Sequence, residues 1–170
     1  MPAFVALLRA VNVGGTGKLP MTELVVMCEA AGFEKVKTYI ASGNVVFRSS
    51  KSAAAVKKAL EAAMASYAGK PVAVMLRTAQ EMSAVLAANP FPQAAPNRTL
   101  AIFLDAAPAR DCLQAASHVN GEEMVLGERE IYVHYGDGMA DSRLRIPAAA
   151  VGTARNMNTV AKLAQMAAAL

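Results

Sequence analysis

Tryptophan is absent from this chain, aromatic residues make up 5% of its 170 positions, and there are two cysteines and two histidines. Each scarcity excludes something. Neither Cys28 nor Cys112 sits in a Cys-x-x-Cys pair, so no disulfide framework is expected. His118 and His134 show no ligand spacing with them, so no metal and no cofactor is expected. No apolar run is long enough to span a bilayer; the first stops at Arg9 and no basic segment precedes it. Neither a membrane partner nor a leader is expected, and the chain reads as cytoplasmic. Charge comes in no block of five or six like residues. The net charge of +4, with pI about 9.2, therefore describes an ordinary surface that permits a polyanionic partner without demanding one.

What is abundant is small and apolar. Hydrophobic residues reach 55% and mean hydropathy is +0.30, which excludes disorder. Much of that share is alanine, which predicts thin, closely packed layers. The length fits one domain or two small ones.

Residues 3–8 form a continuous apolar run, read as a strand buried on both faces. After the Gly-rich run 9–18, Leu24, Met27, Cys28 and Ala31 fall at helical spacing, and Gly32 follows as a stop. Residues 35–40 and 45–48 read as a hairpin turning at Ala41-Ser42-Gly43-Asn44. Ser52 caps a helix with Val56, Leu60, Ala63, Met64 and Tyr67 on its buried stripe; residues 72–76 are a further strand. This β-α-β-β-α-β order is that of the ferredoxin-like unit, or α-β plait, with the first and third strands at its centre. Thr78 and Glu81 form a capping box for one more helix, and the Pro-containing run 89–97 is the boundary expected between subdomains 1–90 and 91–170.

Beyond it, residues 99–104, 122–126 and 130–135 read as strands and 110–117 as a helix opened by Pro108. Asp141 can cap a helix at 142–144 that Pro147 ends, and 152–162 reads as the polar start of a last helix, with Asn156 or Asn158 as its cap. The expected fold class is α+β: two plait subdomains, the second lacking its last strand and ending in helix.

Polar chemistry collects at element ends. Gly152 to Lys162 carries Arg155, Asn156, Asn158 and Thr159 in an otherwise apolar chain, and backbone N–H groups at a helix start attract anions. One cap explains one Asn and leaves Arg155 to be explained. Arg9 to Lys18 is Gly-rich and lies between strand and helix, where such loops can cradle phosphate. It is not a Walker A loop, because Leu19 follows Gly17-Lys18, and the third glycine of Gly-x-Gly-x-x-Gly is missing. His134 with Tyr135 and Asp137 offers acid–base groups, against a plain strand histidine at the edge of the sheet. Phe4 and Phe47 read as core, so the stacking platform of RNA-binding plaits is missing.

The strings Leu7-Leu8-Arg9-Ala10-Val11-Asn12-Val13-Gly14-Gly15, Tyr39-Ile40-Ala41-Ser42-Gly43-Asn44-Val45-Val46-Phe47 and Gly152-Thr153-Ala154-Arg155-Asn156-Met157-Asn158-Thr159-Val160 together resemble a bacterial family known only as domain of unknown function 1697. The resemblance runs nearly the whole chain and implies two linked plait-like subdomains. It implies signature positions at Arg9, Asn12, Gly14 and Gly15; at Ser42, Gly43 and Asn44; at Tyr135 to Met139 with Asp137, and Ser142; and at Arg155, Asn156, Asn158 and Thr159. Met157 stands where the family usually has Trp, and Gly136 where it has Pro, so a packing role fits position 157 better than ring stacking on a ligand. No activity comes with the resemblance.

These residues are expected to meet in a cleft between the subdomains and to bind an anionic ligand, a phosphorylated small molecule or nucleic acid. Arg9 and Arg155 would supply charge, with Asn12, Asn44, Asn156 and Asn158 as orienting amides. An enzyme using the same groups, or a purely structural polar cluster, are the alternatives.

Overall fold

The computed structural model describes residues 1–12 and 18–170. The strand Ala3–Leu8 (β1) is buried on both faces. Phe4, Ala6 and Leu8 join a helix-covered core, and Val5 and Leu7 on the opposite face are buried as well. It is followed by Met21–Ala30 (α1), Glu34–Thr38 (β2), Asn44–Arg48 (β3), Ala53–Ala68 (α2), Val74–Thr78 (β4) and Ala79–Ala87 (α3). The first sheet runs β2-β3-β1-β4, antiparallel throughout, so the first and third strands are central.

Leu24 and Cys28 of α1 and Val56, Leu60 and Met64 of α2 cover one face of this sheet. Phe33 stacks on Phe47 with ring centroids 4.4 Å apart, which places the aromatics inside. Local signals set the helix limits. The Ser52 side chain accepts the Ala55 N–H at 3.2 Å, and Gly69 ends α2 at φ +71°, a conformation that costs glycine little. Thr78 and Glu81 exchange their two capping bonds at 2.9 and 3.0 Å. Tyr67, expected on the buried stripe, is exposed in the last turn of α2, one turn beyond Met64, the last residue that this helix buries.

The second sheet is built from Thr99–Phe103 (β5), Glu123–Leu126 (β6), Glu130–His134 (β7) and Thr153–Asn156 (β8), in the order β6-β7-β5-β8. The expectation that this half lacks its last strand is corrected by β8, which pairs antiparallel with β5, Arg155 opposite Ala101. Thr153 and Arg155 are buried while Ala154 is exposed, an alternation of period two. The last helix, Met157–Ala168 (α4), starts directly after Asn156, one of its two expected caps, and buries Val160, Leu163, Ala164 and Ala167.

Two further helices are also corrected. Residues 110–117 contain only the 3-10 turn Cys112–Ala115, because a segment this short, with no side-chain cap, does not meet the cost of helix nucleation. Residues 142–144 are not helical. The 3-10 segments are Gly136–Asp141 and Pro147–Val151, the second with Pro147 at its start rather than its end. These short segments pack Cys112, Leu113, Ala148 and Ala149 against Ile102, Ile131 and Val133, where a plait ordinarily carries full helices. By contacts the chain divides into Met1–Ser83 with Leu163–Leu170, and Ala84–Lys162. Among the described residues no helix is long and apolar enough to cross a membrane.

Candidate functional site

In the first unit, β1 ends at the exposed Arg9, whose backbone N–H donates to Ala73 O at 3.0 Å. Asn12 follows with φ +54°, a conformation asparagine tolerates better than most residues. Its amide is fully engaged. Nδ2 donates to Leu19 O and to Ala41 O, both at 2.8 Å, and Oδ1 accepts the Leu19 N–H at 2.7 Å. The two hydrogen bonds to Leu19 imitate a strand pair and join positions 12 and 19 as a stem, while the third hydrogen bond ties that stem to the hairpin turn. Gly14 and Gly15 lie outside the described residues.

The turn itself is locked. Gly43 sits at φ +88°, and a Cβ there would lie 2.5 Å from Val11 Cγ2 and 2.9 Å from Leu8 Cβ, so glycine is required twice over. Its carbonyl accepts the Leu8 N–H at 2.8 Å. Asn44 is fully buried and donates to Tyr39 O at 2.9 Å and Ser42 Oγ at 2.8 Å. Thus the structure brings Asn12, Ser42, Gly43 and Asn44 together, with the amide protons of both asparagines directed at protein atoms.

Beside this stem lies a cavity of about 190 Å³. Its buried lining is apolar, from Val11, Leu19, Met64 and Val72, and its exposed lining carries Lys18 and Lys70. Neither lysine is among the residues expected to bind. Lys18 was visible at the end of the Gly-rich run, but nothing local to Lys70 announces that α2 ends beside that run.

In the second unit Arg155 lies on β8, just before the start of α4. Its Nη1 donates to Thr153 Oγ1 at 2.7 Å and to Ala154 O at 2.9 Å. Burial pushes its pKa down to about 10, which leaves the guanidinium charged at neutral pH. Asn156 is the cap of α4, its Oδ1 accepting the Thr159 N–H at 3.0 Å; Asn158 is exposed and Thr159 buried. Met157 is buried, in keeping with a residue that packs.

The remaining candidates have separate partners. Asp137 is exposed and pairs with Arg98. His134 ends the central strand β7, its Nδ1 3.7 Å from Glu123 Oε1 and its ring 5.8 Å from that of Phe91. Tyr135 is half-buried against the second core, and that burial, reinforced by the charge of Glu122, pushes its phenol up. Glu122 itself escaped notice in the sequence. It is buried, and hydrogen bonds from Ser142 and the Asn120 backbone hold its carboxyl below the usual range. Among the described residues no three His, Cys, Asp or Glu side chains converge as metal ligands.

Comparison with known proteins locates this arrangement. The chain is similar in structure to the conserved bacterial protein SP0830 from Streptococcus pneumoniae, with a TM-score of 0.80 and 24% identity over 97% of this chain and 98% of that one, which shows a shared fold. No functionally curated protein matches it. A family model covers the Arg9 and Ser42 stretches and stops before Tyr135 and Arg155. Over residues 1–132 the chain matches the model described as "Protein of unknown function (DUF1697)", and it belongs to that family.

Proposed function

We propose that this chain binds a small phosphorylated molecule in the cavity beside the stem closed by Asn12. The observation that carries the reading is the pairing of an apolar lining with two exposed lysines, Lys18 and Lys70, next to a Gly-rich segment. A phosphate would meet the ammonium groups, and the body of the ligand would cover Met64 and Val72. Arg9, exposed at the end of β1, is proposed to add charge.

The concavity favours a small molecule over nucleic acid. Phe4 and Phe47, which a base-stacking sheet would have to expose, are buried. Cys28 and Cys112 are free thiols, which suits the reducing cytoplasm where we place the protein.

A structural reading applies to part of the signature. The saturated amides of Asn12 and Asn44, the capping Asn156 and the buried Arg155 are assigned to the framework, and changing them is expected to lower stability before it lowers binding. His134 and Asp137 have different partners, Glu123 and Arg98, so we assign no reaction to them.

The test is thermal shift of the wild type and of Lys18→Ala/Lys70→Ala against nucleotides, sugar phosphates and short RNAs. Both lysines are exposed, so the double variant keeps its fold. A ligand present at a hundred times its Kd adds about 2.7 kcal/mol to stability, a rise of roughly 5–10 °C for a chain of this size. That rise should vanish in the double variant. A panel that leaves the wild type unmoved, or moves both proteins equally, defeats the proposal.

A further inference from the structure

The signature group from Tyr135 to Met139 with Ser142 is not absorbed by the lysine-lined cavity. It borders a second one. Within the unit Ala84–Lys162, a cavity of about 440 Å³ is lined by His118, Asn120, Glu122, Asp141, Ser142 and Arg143 among others. Most of this lining is exposed polar surface, but Glu122 is 7% exposed.

Its carboxylate is built in. The Asn120 N–H donates to Oε1 at 2.5 Å, and the Ser142 hydroxyl donates to Oε2 at 2.7 Å. Both donors are neutral. Among the described residues no cation pairs with Glu122, although a covered carboxylate ordinarily has one. Its charge is felt at a distance, since it helps to push Tyr135 up. Its own backbone N–H adds a third hydrogen bond, which still leaves acceptor capacity on a group with about four lone-pair sites. Asp141 adds a second carboxylate to the cavity and Arg143 one guanidinium, so the lining is net acidic in a chain whose net charge is +4.

We infer that this cavity binds a small organic cation through a primary ammonium group, with Glu122 as its fixed anionic anchor and Asp141 as the second. An ammonium carries three donors and demands no fixed coordination geometry. That suits a site of two carboxylates and a hydroxyl better than it suits a metal ion, for which no three ligands converge among the described residues. Ser142 orients the anchor, since its hydroxyl proton is given to Glu122 and its oxygen also accepts the Leu144 N–H at 3.3 Å. The inference rests on Glu122 and stands apart from the phosphate reading, which uses other residues in the other unit.

The experiment is an amide NMR titration of the whole chain with n-butylamine, with n-butanol as the neutral control of the same shape. The wild type should show saturable shifts at Asn120 and Ser142 with the amine and none with the alcohol. Glu122→Gln should weaken the amine by at least tenfold. Because that change removes a buried charge that two groups hold in place, Asp141→Asn, at an exposed position, serves as the second variant and should weaken binding severalfold with the fold intact. Equal shifts with amine and alcohol, no saturation in the wild type, or undiminished amine binding in either variant would overturn the inference.

Discussion

At the scale of single residues, the polar signature is largely devoted to holding backbone in place. Asn12 makes three hydrogen bonds to main-chain groups. With each worth about 1 kcal/mol net, Asn12→Ala should lower unfolding free energy by roughly 2–3 kcal/mol. Asn12→Asp keeps the acceptor but sets a carboxylate oxygen against the carbonyls of Leu19 and Ala41, and should cost at least as much. Urea denaturation measures both, and a loss below about 0.5 kcal/mol for the alanine variant would contradict the stem described above. Tyr132 gives a pH-dependent test. Its hydroxyl donates to Val85 O at 2.7 Å, and burial, helped by the charge of Glu130, pushes its pKa up to about 12. A raised folded pKa means that the unfolded chain loses its proton first. This contribution is therefore complete below pH 10 and is lost as pH rises toward 12. Tyr132→Phe should be less stable than wild type by about 1 kcal/mol at pH 7, and the gap should narrow between pH 10 and 12. A constant gap across that range would refute the assignment.

At the scale of elements, legibility followed locality. The helix after Ser52 and the helix after Thr78 were readable because their caps and stripes lie within a few residues of one another. The strand β8 was not. Thr153 to Asn156 is polar in composition, and what makes it a strand is a partner, β5, fifty residues earlier in the chain. The candidate site divides in the same way. Asn12 and Gly43 stood out in the sequence, but the carbonyls that define the work of Asn12 belong to Leu19 and Ala41, 7 and 29 residues away. Lys70 and Glu122 carry no motif and became candidates only through the cavities they line. Of the two caps expected for α4, Asn156 and Asn158, the structure uses the first. Asn156→Ala should cost about 1 kcal/mol, whereas Asn158→Ala, at an exposed helical position, should change stability by less than about 0.5 kcal/mol. Chemical denaturation of the pair decides whether position 156 is the cap; a larger loss at 158 would move the helix start forward, to follow Asn158.

At the scale of the whole molecule, the two thiols report on the fold. Cys28 is fully buried and its pKa is pushed up to about 12 by burial and by the neighbouring Glu29 charge, while Cys112 is partly accessible. A thiol reagent such as Ellman's should label Cys112 in the native protein and reach Cys28 only after unfolding. The second, slow phase then measures global opening; two fast thiols would contradict the first core. The same molecule-wide view gives the stem at Asn12 a wider meaning. One side chain fastens both Leu19 and the hairpin turn at Ala41 to the end of β1, without a strand pair to share the task. Position 12 is therefore a single pin holding two leaves, and one change there frees both attachments at once.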